Sequence, residues 1–239
     1  DVISLGPLSA DNAATIAKRL SLHDFDIAVD YRTCNWFEDN IASKEQYWQR
    51  RPSRLKNTLH RKQKKADSDP EFRLHIYSNH NESELHKLLS DYHSVYNKSW
   101  KNQEPYPAFI NAVSIYESAR GNLRLGIAYK GETPVAAQIW FRHRKTAYIF
   151  KLAYDEQYRT EGYGNIVTRA LVNFSIECDG VSKIDFLTGN DTYKKDWMSS
   201  SRILYTLTAI NKRSLKGRFL LIAKSAKHLL KNLKNKMRG

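Results

Sequence analysis

Cysteine and long apolar runs are scarce in this sequence of 239 residues. Its two cysteines, Cys34 and Cys178, are too few and too far apart for a disulfide framework. This usage is typical of a reducing compartment, and we expect a cytoplasmic protein. The longest apolar run, residues 219–223, is far shorter than the roughly 20 residues that a membrane-spanning helix needs. The sequence therefore predicts no transmembrane helix.

The sequence motifs of several enzyme classes are missing as well. The eight histidines form no His-Glu-x-x-His pair, and no cysteine and histidine spacing of a metal site occurs. No serine lies in a Gly-x-Ser-x-Gly sequence, and Cys178 closes a predicted helix, where we expect it to pack rather than to react. We therefore expect no metal site and no serine or cysteine nucleophile.

Acidic residues are absent from two segments that carry most of the positive charge. The net charge of the chain is +14. Residues 50–65 contain eight lysines and arginines and residues 202–239 contain eleven, so the rest of the chain is net negative. Charge concentrated in segments is typical of contact with a polyanion, such as nucleic acid, an anionic membrane or a phosphate-rich cofactor.

Both basic segments fall in predicted helices. The first lies in a helix over about residues 43–66, whose basic face is either solvated or in contact with phosphate. The second, residues 211–239, carries one apolar stripe at steps of four and three residues, made of Leu215, Phe219, Ile222, Ala226, Leu229, Leu233 and Met237. This basic amphipathic helix packs on its own domain, lies on an anionic membrane surface through residues 214–239, or binds a partner protein or nucleic acid.

Between the basic segments the hydrophobic pattern predicts a regular order of elements. From Glu71 to Ile210 the order is strand, helix, helix, three strands, helix, strand, short helix and strand. The three consecutive strands over residues 123–154 are joined by tight turns, which predicts an antiparallel meander. Residues 1–65 hold too few apolar elements for a core of their own. The predicted fold class is mixed α/β, with a mainly antiparallel sheet flanked by helices.

A glycine-containing loop lies between the last strand of the meander and the next helix. Residues 159–164 have the form R-x-x-G-x-G. Glycines at the start of a helix let the backbone approach a pyrophosphate closely, and the unpaired amides and the helix dipole attract its negative charge. Arg159 would add a phosphate contact. Taken alone, the six residues are equally compatible with a simple turn.

The element order together with this loop resembles the GNAT N-acyltransferase superfamily over about residues 66–210. Residues 133–138, 151–155 and 184–197, the last with the pattern D-F-L-x-G-x-D-x-Y-K-x-x-W, resemble the bacterial CelD-like acetyltransferase family, a relative of the FemAB-type transferases. Members usually carry an additional N-terminal GNAT-like half. Residues 1–65 are too short for that half, which predicts an N-terminally incomplete chain divided into residues 1–65, 66–210 and 211–239.

The resemblance implies a donor, acetyl-CoA or a longer acyl-CoA, bound where strands 146–154 and 184–187 splay apart. It implies that the pantetheine arm runs along Leu152, Ala153 and Tyr154. The pyrophosphate would then lie on the loop, at Arg159, Thr160, Gly162, Tyr163, Gly164 and Asn165. Family members often have a small residue, proline or serine before the first glycine, whereas this sequence has Glu161.

Acyl transfer to an amine needs a base for the acceptor and an acid for the leaving thiolate. Asp185 is a candidate base, with a structural carboxylate paired to a lysine as the alternative. Tyr193 is a candidate proton donor to the thiolate, with a packing role as the alternative. Asp191, Lys194 and Trp197 are predicted to bind the acceptor or to fix their loop, and Lys194 suits an anionic acceptor.

Three functions follow from these features. The first is an acyl-CoA-dependent N- or O-acyltransferase that modifies a small molecule or a precursor of the cell envelope or of exopolysaccharide. The second takes an aminoacyl group from charged tRNA, as FemAB-type relatives do, because the basic segments suit RNA phosphates. The third is a non-catalytic GNAT-like protein that binds a membrane or a partner, which Glu161 favours. If the basic helix binds lipid, the protein lies at the inner face of the membrane.

Overall fold

A computed structural model describes residues 1–78 and 81–223 of the chain. The strands in this part are β1 (Val2–Leu8), β2 (Phe25–Glu38), β3 (Phe72–Tyr77), β4 (Leu123–Lys130), β5 (Thr133–His143), β6 (Thr146–Tyr154), β7 (Lys183–Thr188) and β8 (Ser200–Asn211). The helices are α1 (Ala10–Leu20), α2 (Lys44–Gln49), α3 (Ser53–Asp67), α4 (Glu82–Asn97), α5 (Pro107–Ser118), α6 (Tyr163–Glu177) and α7 (Lys194–Trp197). The predicted order of elements from β3 to β8 is confirmed.

The C-terminal basic helix is described only at its start. The helix predicted to begin at residue 211 begins at Leu215, because β8 continues to Asn211 and a turn follows. Residues 215–223 are helical, and residues 224–239 of the predicted helix lie outside the described residues. Across the two described ranges, no helix combines the length and the apolar character that crossing a bilayer requires.

The first basic segment differs from the single helix predicted over residues 43–66. The chain forms two helices there, α2 and α3, and Pro52 is the residue that immediately precedes α3. Proline has no backbone N–H and its ring clashes with the preceding helical turn, so a helix ends before it and a new one can begin after it. The prediction of one continuous helix is wrong, and α3 carries most of the basic residues.

The chain divides into two compact units. Unit 1 contains residues 1–35, 188–190 and those from 201 onward, and unit 2 contains residues 36–187 and 191–200. In unit 1, β8 lies between β1 and β2, and β1 pairs antiparallel with β8. The domain boundaries given above, at residues 65 and 210, stay predictions.

The sheet of unit 2 has the strand order β7-β6-β5-β4-β3. Strands β3 to β6 pair antiparallel with their neighbours, which confirms the predicted meander, and β7 pairs parallel with β6. One face of the sheet is covered by α6 and α3 through Leu55, Leu59, Ile166, Val167 and Leu171, and the other face by α4 through Leu85, Leu88, Leu89 and Tyr92. The predicted fold class, a mainly antiparallel sheet flanked by helices, is confirmed.

A buried ion pair fixes the end of β2 to the start of α3 within unit 2. Arg51 Nη2 lies 2.5 Å from Glu38 Oε2, and the two side chains are 1% and 2% exposed. Arg50 Nη1 donates to the other carboxylate oxygen at 2.9 Å, and the Ser199 N–H donates to Oε2 at 2.8 Å. Burial alone raises the pKa of Glu38, but the hydrogen bonds from Ser199 and Arg50 and the charge of Arg51 outweigh it and hold that pKa below its usual value.

We expect Arg51→Met to lower the free energy of unfolding by about 3–5 kcal/mol at pH 7, because it removes the buried cation and leaves the buried carboxylate only the partly exposed Arg50. The folded pKa of Glu38 is depressed, so its contribution is present above its ordinary value of 4.5 and is lost as the pH falls through the folded value. Urea unfolding at several pH values measures both effects. Lys64→Met, at an exposed position of α3, is the control. Equal stability of Arg51→Met and the unaltered protein at pH 7 would contradict this account.

Candidate functional site

A cleft of about 600 Å³ lies in unit 2 beside the part of β6 that β7 does not pair with. The ladder between the two strands begins at Thr146 and Lys183 and ends at Tyr148 and Asp185, while β6 continues to Tyr154. The cleft is lined by residues of β5, β6, the loop before α6, the first turns of α6 and the segment before α7: Trp100, Gln138, Leu152, Tyr154, Glu156, Tyr158, Arg159, Gly162, Tyr163, Gly164, Asn165, Thr168, Asp191, Thr192 and Tyr193.

The amino terminus of α6 opens onto this cleft without a side-chain cap. Gly162 is the residue before the helix, with φ of 76° in the left-handed region that favours glycine. It supplies no side-chain cap, and its carbonyl accepts from the Asn165 and Ile166 N–H groups at 3.0 and 3.2 Å. The first N–H groups of a helix have no partner within the helix and lie at the positive end of its dipole. A Cβ at Gly164 would lie 3.1 Å from Tyr154 Cδ1. Both glycines therefore suit a loop that an anionic group approaches closely.

Side chains of β5 hold the first turn of α6 in place. Gln138 Nε2 donates to the Gly164 carbonyl at 2.8 Å and to Thr168 Oγ1 at 2.7 Å, and Gln138 Oε1 accepts from Trp140 Nε1 at 2.9 Å. Gln138 is buried, so each of its polar atoms needs these partners. The amides that face the cleft are thus fixed by the sheet beneath them. The sequence reasoning gave Gln138 and Thr168 no role.

The basic helix α3 contacts the same loop. Lys62 Nζ donates to the Thr160 carbonyl, and Lys65 Nζ lies 2.6 Å from a carboxylate oxygen of Glu161. The acidic residue before the first glycine is therefore paired with a lysine. Arg159 is exposed at the edge of the cleft, with Nη1 4.0 Å from Glu156. Two lysines of segment 50–65 thus contact this loop, and the two alternatives for the segment, a solvated face or contact with phosphate, stay predictions.

The structure brings together most of the residues predicted to bind the donor. Leu152, Tyr154, Arg159, Gly162, Tyr163, Gly164 and Asn165 line the cleft. The Tyr163 ring is turned inward and stacks on Phe72 at 5.0 Å, which leaves its backbone for a ligand. Ala153 points to the opposite face of the sheet, into the core under α4. Thr160 contacts Lys62 through its carbonyl and is not among the described residues that line the cleft.

Two residues predicted for catalysis or acceptor binding line the cleft. Asp191 and Tyr193 follow β7 and line the cleft together with residues of the loop over residues 159–164, which is predicted to bind the donor and is called the donor loop below. The Tyr193 ring makes an edge contact with Phe186 at 6.1 Å. Burial, and then the charge of Asp191, raises the pKa of Tyr193, so its hydroxyl stays protonated at neutral pH and can donate a proton or a hydrogen bond.

Three other predicted residues are buried away from the lining. The buried Asp185 carboxylate accepts a hydrogen bond from the Leu187 N–H at 2.8 Å, and both the role of base and the lysine pairing stay predictions. Lys194 Nζ lies 3.3 Å from Asp191 Oδ2 and 3.4 Å from the Phe186 carbonyl. Trp197 packs in the core, and its carbonyl accepts from the Tyr47 hydroxyl at 2.9 Å. Lys194 and Trp197 therefore hold the segment that carries Asp191 and Tyr193.

The sequence reasoning missed Lys101, which follows α4. Lys101 Nζ donates to the Leu152 carbonyl at 2.5 Å, directly beside the cleft. Burial, and then the positive charge of Lys151, lowers the pKa of Lys101 to about 8. The preceding residue, Trp100, lines the cleft with its ring 4.5 Å from that of Tyr154. No motif in the sequence distinguishes this lysine, because its environment comes from β6 and from the segment before α7.

The sequence profile of the Acetyltransferase (GNAT) domain matches residues 53–195, which is more than half of the chain. The chain belongs to the GNAT acetyltransferase family. The match covers α3, the donor loop, α6 and the segment before α7, so the cleft lies within the GNAT domain. Membership of the narrower CelD-like family stays a prediction.

Solved structures share the fold of the GNAT chain at low sequence identity. L-PGS from Bacillus licheniformis aligns with a TM-score of 0.57 and 11% identity, over 93% of this chain and 72% of that one. FemX aligns with a TM-score of 0.60 and 7% identity, over 87% and 71%. The C-terminal domain of a candidate lysylphosphatidylglycerol synthetase from Agrobacterium fabrum aligns with a TM-score of 0.60 and 9% identity, over 93% and 71%. None of the curated proteins matches the sequence.

We expect Gln138→Leu to loosen the first turn of α6, because Trp140 Nε1 loses its acceptor and Gly164 and Thr168 lose a donor. Loss of these bonds should cost about 1–3 kcal/mol of stability. Hydrogen exchange at residues 163–168 should accelerate more than in the rest of α6. Gln63→Leu, which removes an exposed amide bond to Asp67, is the control. Unchanged exchange at residues 163–168 would show that Gln138 does not hold this turn.

Proposed function

We propose that this GNAT-family chain transfers an acyl group from acyl-CoA to an amine or hydroxyl acceptor. The uncapped amino terminus of α6, with Gly162 and Gly164, carries this proposal because it opens onto the cleft beside the unpaired edge of β6. An acyl-CoA donor has a phosphate-rich end, which suits the positive amino terminus of α6. It also has an extended thioester arm, which suits the unpaired edge of β6.

The donor phosphates would bind the backbone of residues 162–165 and the Arg159 side chain, and the pantetheine arm would run along Leu152 and Tyr154. Lys62 adds positive charge next to the loop. Glu161 does not oppose the pyrophosphate strongly, because Lys65 balances its charge. The residues present therefore fit an acyl-CoA donor.

The chemistry requires a neutral acceptor and a protonated leaving group. A lysine-like amine is neutral only about once in a few thousand molecules at pH 7, so a base or a desolvated cleft must assist it. Attack on the thioester carbonyl forms the new C–N or C–O bond and breaks the C–S bond. A β6 backbone amide would stabilise the oxyanion, and the Tyr193 hydroxyl would protonate the thiolate. The buried contact of Asp185 with Leu187 supports a structural role for that carboxylate instead of the role of base.

Aminoacyl-tRNA is a second candidate donor. The observation that favours it is the exposed basic surface of α3, which includes Arg54, Arg61 and Lys64, on the helix whose Lys62 and Lys65 contact the loop before α6. Several exposed positive charges can contact several phosphates of an RNA, which is more than a single CoA molecule offers. RNA binding through these charges would weaken steeply with added salt. The third candidate, a non-catalytic GNAT-like protein, loses its main support now that Glu161 is paired with Lys65.

Titration calorimetry with acetyl-CoA, longer acyl-CoAs and charged tRNA tests the proposal. We expect acetyl-CoA to bind, Arg159→Ala to weaken binding by about tenfold or more through loss of a charge-assisted bond, and Gly164→Val to abolish it because the added side chain meets Tyr154. Glu161→Gln should change affinity little. Lys64→Met is the matched control, since it removes an exposed charge of α3. Binding of charged tRNA alone would favour the second candidate, and no response to any donor would overturn both.

We also propose that the protein works in the cytoplasm at the inner face of the membrane, on a small-molecule or cell-envelope precursor acceptor. The support lies in unit 1, where Leu215, Phe219 and Ile222 on the described start of the basic helix are 85%, 69% and 69% exposed. Lys216 and Arg218 lie between these apolar residues along the chain. An apolar stripe with adjacent positive charge is typical of helices that bind anionic lipid surfaces.

Co-sedimentation with vesicles that contain anionic lipid tests this placement. Phe219→Glu should weaken binding by at least about tenfold, because burying such a side chain contributes about 1.5–3 kcal/mol and the new carboxylate is repelled. Leu22→Glu, at another exposed apolar position of unit 1, is the control and should bind normally. Equal sedimentation of Phe219→Glu and the unaltered protein would show that this stripe does not bind lipid.

A further inference from the structure

Lys101 occupies an unusual position at the open edge of β6. Its Nζ donates to the Leu152 carbonyl at 2.5 Å, and the Leu152 side chain lines the cleft. The rings of Tyr96 and Trp100 lie 5.7 and 5.4 Å from the same nitrogen. The amine is thus held against the strand along which the proposed donor would lie, with aromatic surface on its other sides.

The charged and titratable groups around Lys101 come from four elements: Tyr96 of α4, Glu104 before α5, Lys151 of β6, and Asp191 and Lys194 around the start of α7. Most of these charges are already paired. Lys151 Nζ lies 2.5 Å from Glu104 Oε2, and Lys194 Nζ lies 3.3 Å from Asp191 Oδ2. Among the described residues, no carboxylate lies within ion-pair distance of Lys101 Nζ. The cluster therefore leaves Lys101 as a lysine whose charge is not balanced locally.

This environment makes a neutral amine accessible near neutral pH. Partial burial removes water from the ammonium group, and the Lys151 charge adds to the effect, so the pKa of Lys101 falls to about 8. Roughly a tenth of such an amine is neutral at pH 7, against about one in a few thousand for an ordinary lysine. Neutral lysine is the form that attacks a carbonyl.

We propose that Lys101 is a self-acylation site, at which the amine next to the Leu152 carbonyl accepts the acyl group of the bound donor. This inference rests on the proposed function, because it needs a thioester along β6. Neutral Nζ attacks the thioester carbonyl, the C–N bond forms and the C–S bond breaks. The proton that leaves the nitrogen ends on the departing CoA thiol. The product is a stable amide without charge, so the modification removes one positive charge beside the cleft.

Lys98 provides an internal reference for this reactivity. It lies three residues before Lys101, just after α4, it is more exposed to solvent, and its Nζ lies 3.9 Å from the Asp155 carboxylate. Reaction governed by exposure alone would modify Lys98 first. Reaction governed by a donor bound along β6 would modify Lys101 first.

The test uses the full chain with acetyl-CoA over pH 6–10 and peptide mass spectrometry to follow each lysine. We expect Lys101 to be acetylated at least about tenfold faster than Lys98 near neutral pH, with a rate that is half-maximal near pH 8 and levels off roughly one to two pH units above it, as expected for titration of the attacking amine. Lys101→Arg should remove the fast phase from the intact mass. Gly164→Val should protect Lys101 from acetyl-CoA but not from acetic anhydride, which needs no donor site.

Calorimetry on the same samples separates the two claims. If acetyl-CoA binds and Lys101 reacts no faster than Lys98, self-acylation is wrong and the proposed function stands. If acetyl-CoA does not bind, the proposed donor and this inference both fail. Preferential modification of Lys101 in Gly164→Val by acetyl-CoA would also overturn the inference, because the reaction would then not depend on the donor loop.

Discussion

The early end of the ladder between β6 and β7 is the constraint on which the site depends. Pairing stops at Tyr148 and Asp185, so the rest of β6 keeps an open edge. The segment after β7 then lies on the far side of a cleft rather than in the sheet. Buried Gln138 holds the first turn of α6 over the same opening. An exposed strand edge and a fixed set of helix amides thus face one space, which a long ligand with an anionic end can fill.

Most acidic side chains around this opening form ion pairs with basic side chains. Three acids around this opening are each paired with a lysine: Glu161 with Lys65, Glu104 with Lys151 and Asp191 with Lys194. Arg159 at the edge of the cleft has only a distant acid, Glu156 at 4.0 Å. Lys101 at the edge of β6 donates to a carbonyl instead of a carboxylate. The large positive charge of the chain therefore contributes to the site mainly through α3 and these two side chains.

The fold and the position of the glycine loop at the start of α6 could be predicted because their signals are local. Alternating apolar residues marked β3 to β7, and Arg159, Gly162 and Gly164 marked the loop, since helix starts and close backbone approach depend on residues near in sequence. The break at Pro52 was equally local and was overlooked, because the run of basic residues on both sides suggested one helix. Lys101, Gln138 and the pairing of Glu161 with Lys65 could not be predicted, because each depends on contacts between elements distant in sequence.

A crystal structure with bound CoA tests the central claim most directly, because the claim concerns where one ligand lies. The pyrophosphate should be within hydrogen-bond distance, about 3 Å, of the backbone amides of residues 162–165. The pantetheine arm should follow β6 past Tyr154 and Leu152, with the sulfur near Tyr193 and Lys101. CoA bound on the exposed face of α3 or outside the cleft, with the β6 edge empty, would contradict this account of the site.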